Sequence, residues 1–145
     1  SLLFLPKNNT YLPNIQWNRL QRKIKTNNSM SNIQRLLIMK EEITLGDALK
    51  LQIEVCQIKS GERMVGKDKL LVLQIDTMYG QKQVVTNIGD KFSPEDLVGK
   101  KMPFILNLKP ATIAKTLSEA MIVCISDKNN VELIETNLGI GSEVL

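Results

Sequence analysis

Side chains able to perform acid–base or nucleophilic chemistry are few in this 145-residue chain, and their spacing does not assemble a catalytic set. There is no histidine, which removes the commonest general acid–base group. The adjacent carboxylates Glu41-Glu42 and Glu95-Asp96 read as helix starts rather than a catalytic pair, because acids belong in the first turn of a helix. Ser118-Glu119 has no neighbouring base to activate the hydroxyl, and no Ser/Lys dyad spacing stands out. Cys56 and Cys124 lie inside apolar stretches with no C-x-x-C spacing, the pattern of reduced core thiols rather than of a zinc or redox site. Gly139 and Gly141 flank Ile140 without the following helix that a phosphate loop needs. These residues lead to no catalytic group, no metal and no cofactor. The expected activity is binding.

The cations say what would be bound. Before residue 41 the chain carries Lys7, Arg19, Arg22, Lys23, Lys25, Arg35 and Lys40 and no Asp or Glu, a charge of +7. The remaining 105 residues hold 12 Lys and Arg against 15 Asp and Glu, a charge of −3. A polyanion therefore feels the leading segment at long range. On the body the basic points are Lys100-Lys101 and Lys109. Aromatic residues make up only 4% of the chain, so a sheet that reads single-stranded bases by stacking lacks platforms. Recognition through backbone shape and charge is the expectation.

Two segments of different composition must carry these groups. Residues 1–40 are basic and rich in Asn and Ser, with Asn27–Asn32 breaking two short helical patterns, the first bearing Ile15, Leu20 and Ile24. Such an acid-free segment also resembles an organellar transit sequence. The expected location is the cytoplasm or an organellar matrix, with the mitochondrion favoured. Residues 41–145 read as an all-β domain with short helices. Thr44-Leu45-Gly46-Asp47 has capping-box spacing. Leu51, Ile53 and Val55 alternate with polar residues, and a bulge near Cys56-Gln57 is expected to bring Ile58 into register. Strands follow at Leu70–Asp76, Gln83–Ile88, Lys101–Leu108, Ser118–Ile125 and Val131–Glu135. A turn sits at Tyr79-Gly80, and a short helix is capped by Ser93 and stopped at Gly99. Pro103 belongs early in its strand or on an edge. Five or six strands with one short helix among them describe a small closed barrel. No apolar run approaches a membrane span.

The ordered run Asp68–Asp76, Val84-Val85-Thr86-Asn87-Ile88, Leu97-Val98-Gly99-Lys100-Lys101, Asn107-Leu108-Lys109-Pro110-Ala111 and Ser118-Glu119-Ala120-Met121 resembles a known family. This is the tRNA-binding module appended to methionyl- and tyrosyl-tRNA synthetases, also found in multisynthetase cofactors and as free-standing dimeric proteins. The resemblance covers about residues 43–145. It implies an OB-fold barrel, which the basic residues 1–40, read above as a helical extension, precede. The activity it implies is structure-specific, non-catalytic binding of tRNA or other structured RNA. It also implies partnership with an aminoacyl-tRNA synthetase or ribonucleoprotein assembly, and homodimerisation in short members. A related chaperone uses the same barrel surface for peptides. The RNA-binding candidates are Lys69, Lys100, Lys101, Asn107, Lys109, Lys115, Ser118, Glu119 and Met121, with Arg19, Arg22, Lys23 and Lys25 from the leading segment.

Four departures from that family bear on function. Gln52-Ile53-Glu54-Val55-Cys56 stands where Asp-Leu-Arg-Val-Gly is usual, so a cation becomes an acid. Met64-Val65-Gly66-Lys67 replaces His-Pro-Asp-Ala, and Thr86-Asn87 replaces Ser-Gly. After Asn-Leu-Lys-Pro-Ala, the usual Lys-x-Arg-Gly reads Thr112-Ile113-Ala114-Lys115, losing two cations and gaining one a position later. Losing two or three phosphate contacts weakens binding on the order of a hundredfold at physiological salt. Two readings follow from the sequence: an RNA-binding module whose leading segment restores affinity, or a structural subunit of a larger organellar ribosomal or synthetase assembly built on a repurposed tRNA-binding fold.

Overall fold

Three long strands lay down the frame. The computed structural model describes residues 39–145, so the two short helices expected before residue 39 and the cations Arg19, Arg22, Lys23 and Lys25 lie outside the described residues. Helix α1 (Leu45–Ala48) starts at Thr44, whose Oγ1 accepts from the Asp47 N–H at 3.0 Å. Strands β1 (Ile53–Met64), β2 (Lys67–Thr77) and β3 (Gly80–Thr86) form an antiparallel meander. Gly66 and Gly80, both at positive φ, make the two tight connections, a backbone region open to glycine at little cost. Helix α2 (Pro94–Leu97) follows, then β4 (Lys101–Ile105). The hairpin β5 (Ala111–Ile113) and β6 (Thr116–Ser118) leads to β7 (Met121–Ile122), β8 (Cys124–Ser126), β9 (Val131–Leu133) and β10 (Glu143–Val144). The main sheet runs β3-β2-β1-β4-β7, with β10 added on β1.

The pleat sorts residues by period two. Cys56 and Ile58 of β1, Leu71, Leu73 and Ile75 of β2, Val84 of β3, and Met102 and Phe104 of β4 are fully buried and pack together with Leu97 of α2. Phe104 is the largest of them. Phe92 packs on this cluster beside α2, as the short helix requires. Ser93 Oγ and N–H both donate to Asp96 Oδ2, at 2.9 and 3.0 Å. Those bonds hold the Asp96 carboxyl below its usual range. Burial, aided by the nearby Glu54 charge, pushes the Cys56 thiol up to about 12. Cys56 is therefore an uncharged core group at any physiological pH.

Several sequence expectations need correction. The inward face of β1 holds Cys56 and Ile58, not Ile53 and Val55. Val55 is buried on the opposite face, where its N–H donates to the Ser142 carbonyl at 2.8 Å and its carbonyl accepts from the Gly141 N–H at 2.9 Å. Local alternation cannot reveal a backbone partner nearly ninety positions away. The bulge also falls later, between Ile58 and Ser60 rather than at Cys56-Gln57, because Cys56 and Ile58 are already in phase. The single strand expected over Ser118–Ile125 is three short pieces, β6, β7 and β8. Pro103 sits mid-strand opposite Val55. Its carbonyl accepts from the Val123 N–H at 3.0 Å, and with no N–H to return that bond the β4–β7 ladder ends at Phe104.

Gly89 pins the far end of β2. Its N–H donates to the Lys69 carbonyl at 2.9 Å, and Arg63 Nη1 donates to the Gly89 and Asp68 carbonyls. A Cβ at this position would lie 2.7 Å from the Asp68 carbonyl oxygen and 2.9 Å from Lys69 backbone atoms. Because backbone cannot give way as a side-chain tip does, Gly89→Ala should cost about 1–3 kcal/mol. Urea unfolding followed by circular dichroism checks this; an unchanged midpoint would show that the loop slides freely.

Candidate nucleic-acid interface

Strand β3 would be an open edge if nothing covered it, and two side chains close it. The Glu119 N–H donates to the Gln83 carbonyl at 2.8 Å, and Glu119 Oε1 accepts from the Gln83 N–H at 3.0 Å. Two residues on, Ser118 Oγ accepts from the Val85 N–H at 3.0 Å and donates to the Ala120 carbonyl at 3.2 Å. Gln83 Nε2 adds a bond to the Leu117 carbonyl at 2.8 Å. Side-chain oxygens thus supply acceptors that a neighbouring strand would otherwise provide, and the sheet curls into a barrel. Ser118 and Glu119, candidates for RNA contact by sequence, have their side chains engaged in this closure.

Asn107 is occupied in a similar way. Its Oδ1 accepts from the Gln52 N–H at 2.8 Å and its Nδ2 donates to the Lys50 carbonyl. It staples the chain after β4 to the chain entering β1. The Asn-Leu-Lys-Pro-Ala run therefore starts with a structural residue and delivers Lys109 beyond it.

Lys109 reaches a groove of about 540 Å³ between the end of β3 and the β5–β6 hairpin. Apolar side chains including Leu70, Ile88, Leu108, Ile113 and Met121 wall it, and Lys109, Asn87, Thr86 and Ser118 are its polar members. Met121 is 53% exposed at this rim. The structure thus brings Lys109, Ser118 and Met121 to one place. Lys115 stands at the exposed tip of the adjoining hairpin, and Lys69 is exposed just before Leu70. Lys100 and Lys101 do not join them. They lie at the opposite end of β4 from Lys109, a strand of roughly 13 Å at 3.3 Å per residue. Lys100 Nζ is paired with Glu135 at 2.8 Å. Sequence reasoning missed Thr86, Asn87, Leu108 and Ile113 as groove residues. The one signal for the first two was the replacement of Ser-Gly by Thr-Asn at that point.

The hairpin tip carries a cost. Ile113 pairs with Thr116, leaving a two-residue loop, Ala114-Lys115, with φ of 48° and 64°. Positive φ at both central positions is the type I′ geometry that suits strand twist and favours Asn and Gly. Here non-glycine residues adopt it, and the second is the cation gained in place of the family's Gly.

These features define a small antiparallel OB-type barrel with a cation-edged apolar groove and no catalytic constellation among the described residues. No group of three or more His, Cys, Asp or Glu residues there is arranged to hold a metal. Residues 53–141 match the family model described as "Putative tRNA binding domain", and the chain belongs to that family. It is 38% identical over 106 residues to methionine–tRNA ligase 1 of Bacillus cereus, covering 72% of this chain and 16% of that protein. It is 36% identical to methionine–tRNA ligase of Methanocaldococcus jannaschii over 107 residues, again 72% and 16%. The chain spans about one sixth of the length of these relatives. The solved structure of a MetRS-related protein from Pyrococcus horikoshii superposes with TM-score 0.69 at 30% identity, covering 72% of this chain and 99% of that one. The chaperone CsaA of Bacillus anthracis shares the fold, with TM-score 0.63 at 23% identity over 72% of this chain and all of that one.

Two substitutions should move stability in opposite directions. Ser118→Ala leaves the Val85 N–H without an acceptor and should cost about 1–3 kcal/mol, whereas Lys115→Gly relieves the left-handed position and should add about 1 kcal/mol. Thermal unfolding of both variants checks the pair; a neutral Ser118→Ala would mean that the Glu119 and Gln83 bonds hold the edge without Ser118.

Proposed function

We propose that this chain binds tRNA, or RNA of similar structure, as a non-catalytic module, gripping backbone and shape through the groove side of the barrel. The carrying observation is the convergence of Lys109 and Met121 on one apolar groove in a chain whose residues 53–141 match the tRNA-binding family. Methionine–tRNA ligases among its relatives support a synthetase context for that RNA. Supporting charge comes from Lys69 and Lys115. Neither belongs to an ion pair among the described residues, where only Lys50 with Asp47 and Lys100 with Glu135 are paired. In this reading the seven cations before residue 41 supply phosphate contacts that the barrel lacks. The body's own charge of −3 and the loss of family cations after Ala111 leave it a weak polyanion binder alone. Arg19, Arg22, Lys23 and Lys25 are the principal candidates. An organellar setting suits the acid-free character of that segment.

The charge split also favours a second reading, in which the fold serves as a structural subunit of a larger assembly. A salt titration separates the two. The full chain should bind tRNA with a logarithmic salt slope that falls by about 3 when Arg19, Arg22, Lys23 and Lys25 are all changed to Ala, and by about 1 for Lys109→Ala. Filter binding between 50 and 200 mM salt measures both, at salts where phosphate contacts dominate affinity. Slopes that do not respond would remove these cations from the mechanism. Absence of measurable binding at the low-salt end would favour the structural subunit.

A further inference from the structure

The groove at the end of β3 offers surface that a phosphate backbone does not use. Its walls, Leu70, Ile88, Leu108, Ile113 and Met121, are aliphatic and thioether groups. Leu108, Ile113 and Met121 stay 38%, 38% and 53% exposed. Ribose and phosphate are polar and charged, so covering such carbon with them removes little apolar area from water. A ligand with an apolar face gains by doing so. The volume of about 540 Å³ is that of a small-ligand site, where a few polar groups orient a mostly apolar guest.

Those polar groups are consecutive. Thr86 and Asn87 line the groove together at the end of β3; Thr86 is 7% exposed and Asn87 is exposed. Neither side chain donates or accepts a hydrogen bond among the described residues. Ser118 Oγ, by contrast, is committed to Val85 and Ala120. The Asn87 amide sets a donor beside an acceptor, which is the complement of a nucleobase edge. Both residues stand at the point where this chain departs from the family's Ser-Gly, and a glycine there would have no such group. Lys109 is the only charge among the described lining residues, with no Asp or Glu among them. The charge of the site therefore favours an anion.

A nucleotide combines the three parts required: an aromatic base with apolar faces, a polar base edge and a phosphate. No aromatic side chain lines the groove, but a single base also packs between apolar side chains, and a thioether makes favourable contact with an aromatic ring. One base held this way differs from a row of bases stacked on a sheet. A peptide segment would fill the apolar walls and leave Lys109 without its anion.

We propose that the groove takes one unpaired nucleotide of the bound RNA, its base against Met121 and Ile113, its edge on Asn87 and Thr86, and its phosphate on Lys109. This rests on the RNA-binding reading and adds to it a contact with a base, beyond backbone and shape.

Hexamers of adenylate, uridylate and cytidylate are the probes, with an abasic hexamer of equal charge as reference. Each is titrated into the methyl-labelled full chain, and apparent affinity is read at the Leu70, Ile113 and Met121 methyls. The base-bearing hexamers should saturate those shifts, and the abasic one should bind there about tenfold more weakly. Asn87→Ala should weaken the base-bearing hexamers about threefold to tenfold and leave the abasic one unchanged. Met121→Ala, also at an exposed position, should show the same selectivity, whereas Lys109→Ala should weaken both kinds alike. Equal binding of abasic and base-bearing hexamers, or indifference to Asn87→Ala and Met121→Ala, overturns base capture. If tRNA then still binds with a Lys109-dependent salt slope, the broader RNA reading stands; absence of tRNA binding removes both. Groove shifts produced by a leucine-rich unstructured peptide and by none of the hexamers assign the groove to polypeptide and also overturn the proposal.

Discussion

The hydrogen bonds from Ser118 and Glu119 to β3 are the constraint on which the rest of this molecule depends. A three-stranded meander with a bare β3 edge would expose a row of unpaired amides to any other strand. Here Gln83 and Val85 find side-chain acceptors instead. Those bonds curl the sheet over Leu73, Ile75, Val84 and Phe104. They also place the β5–β6 hairpin against the end of β3, which creates the groove.

The same short motifs serve both architecture and display. Asn107 and Ser118 make internal bonds, while Lys109 and Met121, two and three residues further on, are presented at the groove. A motif of this kind can lose peripheral cations and keep its fold, because the bonds that hold the barrel do not involve them. Thr112–Lys115 shows the separation. The cations usual at this point in the family are absent, yet the hairpin register is intact from Ala111 opposite Ser118 to Ile113 opposite Thr116. The chain's excess positive charge lies ahead of residue 41.

Much of the fold was legible in the sequence because local rules agreed with one another. Thr44 and Ser93 mark helix starts by capping chemistry, Gly80 marks a turn, and the apolar run of β2 marks a strand buried within a barrel. What escaped was set by distant chain. Val55 is buried outside the main core cluster and bonds backbone to backbone with Gly141 and Ser142, so alternation alone did not pick out the core-facing residues of β1. Strand β10 has two residues, too few for any periodicity to register. For the site, Lys109 and Met121, both named as candidates from the motif, line one groove. The engagement of Ser118, Glu119 and Asn107 in closure depends on hydrogen bonds across 33 to 57 positions, which spacing alone does not encode.

The most direct test of the groove as the RNA-facing surface is a methyl NMR map of the full chain with and without tRNA. The expected result is that Ile113, Leu108, Leu70 and Met121 methyls shift or broaden, while those of Leu49 and Val144 stay in place. Perturbations confined to Leu49 and Val144, with the groove methyls unmoved, would contradict it.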